Sequence, residues 1–211
     1  RTEALKLEIF DLLKQIIKEP KKYVEGGPKK IFRRTWLHVA AIHGNLQAVE
    51  ALVNAGDDVN ETDDILRTPL LYAITSGSLE TVEFLIESGA DIHYDKCMDN
   101  FTPLFTAAEF GYIDIFRLLV QKGCDFNLLG PNHMTVGHVI CQNAHPPEML
   151  KILFDKNHEI EFDISVLDGY GRNMVQICKD AIDRNPKPFN QVALAAKDVK
   201  GQFRKLLNHI Y

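Results

Sequence analysis

The sequence predicts an all-α repeat solenoid: a stack of helix-turn-helix units with hairpin-like connections, sealed by a helical cap at each end. The first observation is a repeat. The stretch Thr35 to Asn60 (TWLHVAAIHGNLQAVEALVNAGDDVN) returns as Thr68 to His93 (TPLLYAITSGSLETVEFLIESGADIH) and as Thr102 to Asn127 (TPLFTAAEFGYIDIFRLLVQKGCDFN), without a gap. The second is its period: the opening threonines stand 33 and 34 residues apart, and Gly44, Gly77, Gly111 and then Gly56, Gly89, Gly123 keep the same spacing. A fixed period with fixed glycines means units that bury their apolar faces against one another. The third is composition. With 211 residues, 45% hydrophobic and 25% charged, the chain can bury a core, which excludes collagen, a disulfide-rich mini-protein and disorder throughout.

Taken in order, residues 1–31 read as an N-terminal capping helix and a basic linker. Leu5, Ile9, Leu12, Leu13 and Ile16 share one helical face, with Lys6, Glu8, Asp11, Lys14 and Lys18 elsewhere, before Pro20 and the Gly26-Gly27-Pro28 break. The repeats fill 32–185, at 32–64, 65–98, 99–131 and 132–169, with a degenerate copy at 170–185. In each full copy a threonine caps a short first helix, which Pro69 and Pro103 open, and the first glycine ends it. A second helix carries an apolar stripe: Val49, Leu52 and Val53, then Val82, Leu85 and Ile86, then Ile115, Leu118 and Leu119. The next glycine stops it before an extended GADIH-like segment. The fourth copy runs through Thr135, Val136, Gly137 and His138 into EMLKILFDKNHEIE, with Ala144 at the turn-glycine place and an extra residue at Pro146-Pro147. The fifth starts near Gly171 to Cys178. Residues 186–211 form the C-terminal cap, where Val192, Ala196, Val199, Phe203, Leu206 and Ile210 recur at helical spacing. A solenoid needs such polar-backed ends.

Chemistry is sparse. Residues 1–34 hold ten Lys or Arg against five Asp or Glu, while the whole chain is −5. This basic run is interrupted and reads as a solvated loop, so nucleic acid is not an expected partner. No apolar stretch reaches the roughly 18 residues of a membrane span. Cys97, Cys124, Cys141 and Cys178 form no CxxC pair and read as reduced thiols in a cytosol-like compartment. Phosphate-loop, dinucleotide, metal-helix and serine-elbow motifs are all missing. His133, His138, Cys141 and His145 cluster in sequence, but the register aligns Cys141 with a small residue of the earlier copies, and no metal, cofactor or catalytic residue is assigned. The acidic pairs Asp57-Asp58 and Asp63-Asp64 read as surface carboxylates on hairpin ends.

The pattern T-P-L-H, two small residues, a glycine, V-x-x-L-L and G-A-D-V-N, three times in phase, resembles the ankyrin repeat. The resemblance covers Phe32 to Asn132 closely and the rest more loosely. It implies a non-catalytic module that binds a partner protein in the concave groove made by hairpin tips and first helices. By alignment the groove places are Arg33, Arg34, Trp36, Leu66, Arg67, Asn100, Phe101, Tyr112, His133, Met134 and His145, with Phe101 and Tyr112 at the centre beside Arg67 and Met134. The alternative is the substrate-recruiting segment of a larger enzyme or effector, since the chain opens on Arg1 and reads as an excised piece. Asn60 and Asn127, each eight residues after a leucine (Leu52, Leu119), resemble sites of the asparaginyl hydroxylase that acts on such repeats. The expected setting is cytoplasmic or otherwise intracellular, the nucleus or a host cytosol included, and the expected state is a monomer.

Overall fold

The computed structural model describes residues 33–143, 147–153, 163 and 165–184. The two expected caps, the basic linker and His145 lie outside the described residues. In chain order the helices are α1 (Trp36–Ile42), α2 (Leu46–Asn54), α3 (Pro69–Ser76), α4 (Leu79–Glu87), α5 (Pro103–Phe110) and α6 (Ile113–Gln121). A 3-10 turn (Pro131–His133) then precedes α7 (Val136–Gln142), α8 (Pro147–Leu153) and α9 (Met174–Arg184). Among the described residues there is no strand, and one isolated bridge joins Leu167 to Asn173.

The local chemistry explains these boundaries. Thr35, Thr68 and Thr102 are extended and accept the backbone N–H three residues on, at the open ends of α1, α3 and α5. This satisfies one of the donors that every helix start leaves free. At the far ends of α3 and α5, Gly77 and Gly111 take φ of 75° and 74°, a left-handed turn that a side chain would resist. Each hairpin is then set by an aspartate. Asp58, Asp91, Asp125 and Asp163 accept the N–H two residues on at 2.8 to 2.9 Å, the turn that Asp forms with its own backbone. Asn60 and Asn127 pass the connection to the next repeat: Asn60 Nδ2 donates to the Gly89 carbonyl at 3.0 Å, and Asn127 Oδ1 accepts from the Asp163 N–H at 3.2 Å.

The chain divides into two compact bodies, Arg1–Ala90 and Asp91–Tyr211. In the first, α1 packs on α2 and α3, α3 on α4, and α2 on α4. Leu37, Ala41, Val49, Leu70, Ile74, Val82 and Leu85 are wholly removed from water there. In the second, α5 packs on α6 and α7, α6 on α8, and α7 on α8 and α9. Its core includes Ala107, Phe116, Leu119, Phe126, Ile140, Met149 and Met174.

Three expectations are corrected. The third apolar stripe is Ile115, Phe116, Leu119 and Val120, with Leu118 half-buried, because the third copy follows the second by 34 residues, which carries Val82, Leu85 and Ile86 onto Phe116, Leu119 and Val120. Asp63 is buried, not a surface carboxylate. Cys141 and Cys178 are joined in a disulfide, while Cys97 and Cys124 stay free and buried.

Candidate functional site

The hairpin tips carry an unusual backbone. Arg33 and Leu66 in the first body have φ of 44° and 59°, and Asn100 and His133 in the second have 57° and 57°. These positions are 33, 34 and 33 residues apart, so each is the same place in successive repeats. In the fifth repeat that place is Gly171, φ 73°. Left-handed backbone is cheap for glycine, tolerable for asparagine and unfavourable for leucine. All four non-glycine tips are exposed.

Around these tips lie apolar side chains that a soluble loop would normally replace with polar ones. Met98, Leu129, Leu167 and Tyr170 in the second body are 66%, 44%, 55% and 72% exposed, and Leu66 in the first is 38% exposed. At the end of α5, exposed Phe110 stacks on Tyr112, with centroids 5.9 Å apart and planes at 11°. The sequence reading missed Met98, Phe110, Leu129, Leu167 and Tyr170. Their signal was present, as apolar residues inside turn-forming stretches, but the alignment followed the repeat pattern instead.

The groove residues named from the sequence fall into distinct settings. Arg33 faces Asp64 at 3.5 Å, at the surface. Arg34 donates from Nε to the Tyr72 hydroxyl at 3.1 Å and sits 4.9 Å over its ring. The Arg67 guanidinium lies 5.8 Å from the same ring. Trp36 is half-buried at the first position of α1, and Asn100 and His133 are exposed. Phe101 is half-buried, edge-on to Phe105 at 5.6 Å. Met134 is buried, 6% exposed, and its main chain pairs with Gly130 and Pro131. Its side chain therefore offers no surface to a partner.

Buried polar groups brace the tips. In the first body, Asp63 Oδ2 accepts from the Tyr72 hydroxyl at 2.7 Å, and Oδ1 accepts from the Ile65 and Arg67 N–H groups at 3.0 and 2.9 Å. Arg34 completes the set at 3.5 Å. A carboxylate so buried is tolerable only because its oxygens are bonded. Burial, then the bond to Asp63, pushes the Tyr72 hydroxyl above its usual pKa. In the second body Asp168 repeats the arrangement. It accepts from the Tyr170 and Arg172 N–H groups at 2.9 Å each, and from the Arg172 guanidinium at 3.0 and 2.8 Å. Burial by itself would raise the Asp168 pKa, but these donors outweigh it and hold the carboxyl below the usual range.

Two histidines tie first helices to the next tip loop within each body. Thr35 N–H donates to His38 Nδ1 at 3.1 Å, which leaves the ring proton on Nε2 to donate to the Arg67 carbonyl at 3.0 Å. Thr135, His138 and the Arg172 carbonyl repeat this at 3.1 and 3.3 Å. Burial holds both imidazoles below their ordinary pKa, against the raising effect of the carbonyl bonds and of Asp63 or Asp168. They are thus neutral structural groups. Among the described residues no three His, Cys, Asp or Glu side chains are placed to hold a metal ion, and no helix is long and apolar enough to cross a membrane.

Comparison with known proteins follows the same register. A family model described as ankyrin repeats (3 copies) matches residues 3–96, 37–130 and 92–166 in overlapping stretches. An ankyrin repeat protein of Fowlpox virus (strain NVSL) is 46% identical over 46 residues, covering 22% of this chain and 6% of its own length. Ankyrin repeat protein nuc-2 of Neurospora crassa is 31% identical over 133 residues, covering 63% of this chain and 12% of its own length. The chain thus spans a small fraction of either relative.

Proposed function

Because the chain belongs to the ankyrin-repeat family, whose repeats are in general protein-interaction modules, we propose that it is a non-catalytic module that holds a partner protein against its hairpin tips and the ends of its first helices. The observation that carries this reading is the set of left-handed tips. Arg33, Leu66, Asn100 and His133 keep exposed side chains at φ of 44° to 59°, where glycine would relieve roughly 1 kcal/mol or more per site. A fold gains nothing from an exposed side chain in that place, whereas a partner does, and backbone strain of this kind concentrates at binding sites. The exposed Met98, Phe110, Leu129, Leu167 and Tyr170 supply apolar and aromatic anchors of the sort that dominate interfaces. Arg33, Arg34, Trp36, Arg67, Phe101, Tyr112 and His145 belong to the same reading as flanking contacts.

An intracellular setting is part of the proposal: Cys97 and Cys124 are free and buried, and it requires that the Cys141–Cys178 disulfide be reducible. So is hydroxylation of Asn60 and Asn127, whose side chains already bridge repeats. A one-oxygen mass increase on incubation with an ankyrin-directed asparaginyl hydroxylase is the result that supports it.

The decisive experiment is capture from a lysate with three baits: the wild-type chain, a variant carrying Met98→Ser, Phe110→Ser and Tyr170→Ser, and a control carrying Glu83→Ala and Arg117→Ala on exposed second-helix positions. A partner held by the wild type and the control but lost from the tip variant is the expected outcome. Equal capture by all three, with the tip variant folded, would place binding on another face.

A further inference from the structure

We propose that Cys141 and Cys178 are a reversible redox clasp that fastens α9, and with it the last tip loop, onto α7. This proposal does not depend on any partner. Both residues are buried, 0% and 2% exposed, with Cα atoms 5.1 Å apart and a sequence separation of 37. The repeat register explains how they meet. Cys141 occupies the place of Ala41, Ile74 and Ala108 late in a first helix, and Cys178 that of Ala40, Ala73, Ala107 and Ile140. At the α7–α9 interface both places hold a cysteine, so a bond can form there.

Among the seven α9 residues whose side chains are described, Met174, Ile177 and Cys178 are buried. The fifth repeat has no Thr-Pro opening. Asn173 and Gln176 cap each other instead, at 3.1 and 3.0 Å, and the His138 bond to the Arg172 carbonyl is longer than its counterpart at Arg67. With the disulfide removed, Met174 and Ile177 remain as buried α9 side chains among those described, beside the His138 bond to the Arg172 carbonyl. The loop it carries is braced within itself, where Asp168 holds Arg172 and Tyr170, and is tied to the preceding tip, where Gly169 N–H donates to the Asn132 carbonyl at 2.6 Å. The clasp therefore adds to the docking of a loop that forms without it.

The other two thiols do not compete. Burial pushes Cys124 up to about 12, so it stays protonated, and Cys97 donates to Asp99. The oxidant is a low-molecular-weight disulfide of the glutathione class. One cysteine thiolate attacks it, releasing one small thiol and leaving a mixed disulfide on the protein. The second cysteine loses its proton and displaces the second small thiol. In total two protein thiols are oxidised to one disulfide and one small disulfide is reduced to two thiols, a two-electron exchange. Because both sulfurs are buried, either direction passes through local undocking of α9. In a reducing compartment the pair rests as thiols and α9 opens and closes; oxidation traps it closed.

The test uses the whole chain in reduced and in oxidised glutathione, read by intact mass after alkylation in denaturant and by hydrogen exchange. In the oxidised sample two thiols should remain to be alkylated, and amides of residues 174–184 should exchange on the order of tenfold more slowly than in the reduced sample, while α5 and α6 are unchanged. Cys141→Ala and Cys178→Ala should each give the fast α9 exchange in both buffers. Four alkylatable thiols after oxidation, or equal α9 exchange in the two redox states of the wild type, would overturn the proposal.

Discussion

Gly130 lies so close to Phe105 that a Cβ built on it would collide with the ring. Its φ of −88° is ordinary, so glycine is required here for space and not for backbone freedom. Gly130→Ala should therefore destabilise by about 1 to 3 kcal/mol through overpacking, measured as a lower denaturation midpoint, and Phe105→Leu in the same chain should restore part of the loss. An unchanged midpoint for Gly130→Ala would show that the ring moves aside freely. Leu66 poses the opposite case, since its φ of 59° sits on an exposed tip. Leu66→Gly should stabilise by about 0.5 to 1 kcal/mol, net of the extra freedom glycine brings to the unfolded chain. A destabilised Leu66→Gly would mean that the leucine packs in a way its exposure does not suggest. Asp63 was misread as a surface carboxylate because the groups that bury it, Tyr72 and Arg34, are 9 and 29 residues away.

At the scale of the element, the repeated device is a first helix whose Thr and His join it to the following loop. The cap was legible in the sequence, since Thr35-Trp-Leu-His and Thr135-Val-Gly-His each put a hydrogen-bonding pair three residues apart. The bonds from His38 to the Arg67 carbonyl and from His138 to the Arg172 carbonyl were not, because those carbonyls belong to other repeats. They set a pH dependence. Both imidazoles are held below 6.5 mainly by burial, so the unfolded chain takes up these protons first as pH falls. Their contribution to stability is present in full above pH 6.5 and is lost as pH drops below it toward the folded values. Urea midpoints should accordingly be flat just above pH 6.5 and decline below it. In a His38→Gln, His138→Gln chain the decline should be shallower. An equal slope in both chains would show that these rings are not the groups being titrated.

Across the molecule, both bodies bury their first helices more completely than their second. Pro69 to Ile74, Pro103 to Ala108 and Val136 to Cys141 are each unbroken runs of buried residues, whereas α2, α4 and α6 alternate buried with exposed ones. Hydrogen exchange should thus be slowest in α3, α5 and α7, with α2, α4 and α6 several-fold faster, because opening a wholly buried helix exposes more apolar surface. Faster exchange in α3 and α5 than in α4 and α6 would sink this ordering. What the sequence determined by itself is whatever recurs with the period: the helix pairs, their threonine and glycine ends, the Asp-led hairpins and the family. Those features are local, and three copies in phase state them three times. What only the tertiary structure decided is whatever depends on one repeat meeting the next. Cys141 faces Cys178, Asp63 is enclosed by Tyr72 and Arg34, Met134 turns inward, and Met98, Leu129 and Tyr170 are left in water. Each of these is set by residues distant in the chain, and a period describes the unit, not the particular side chains that stacking brings against it.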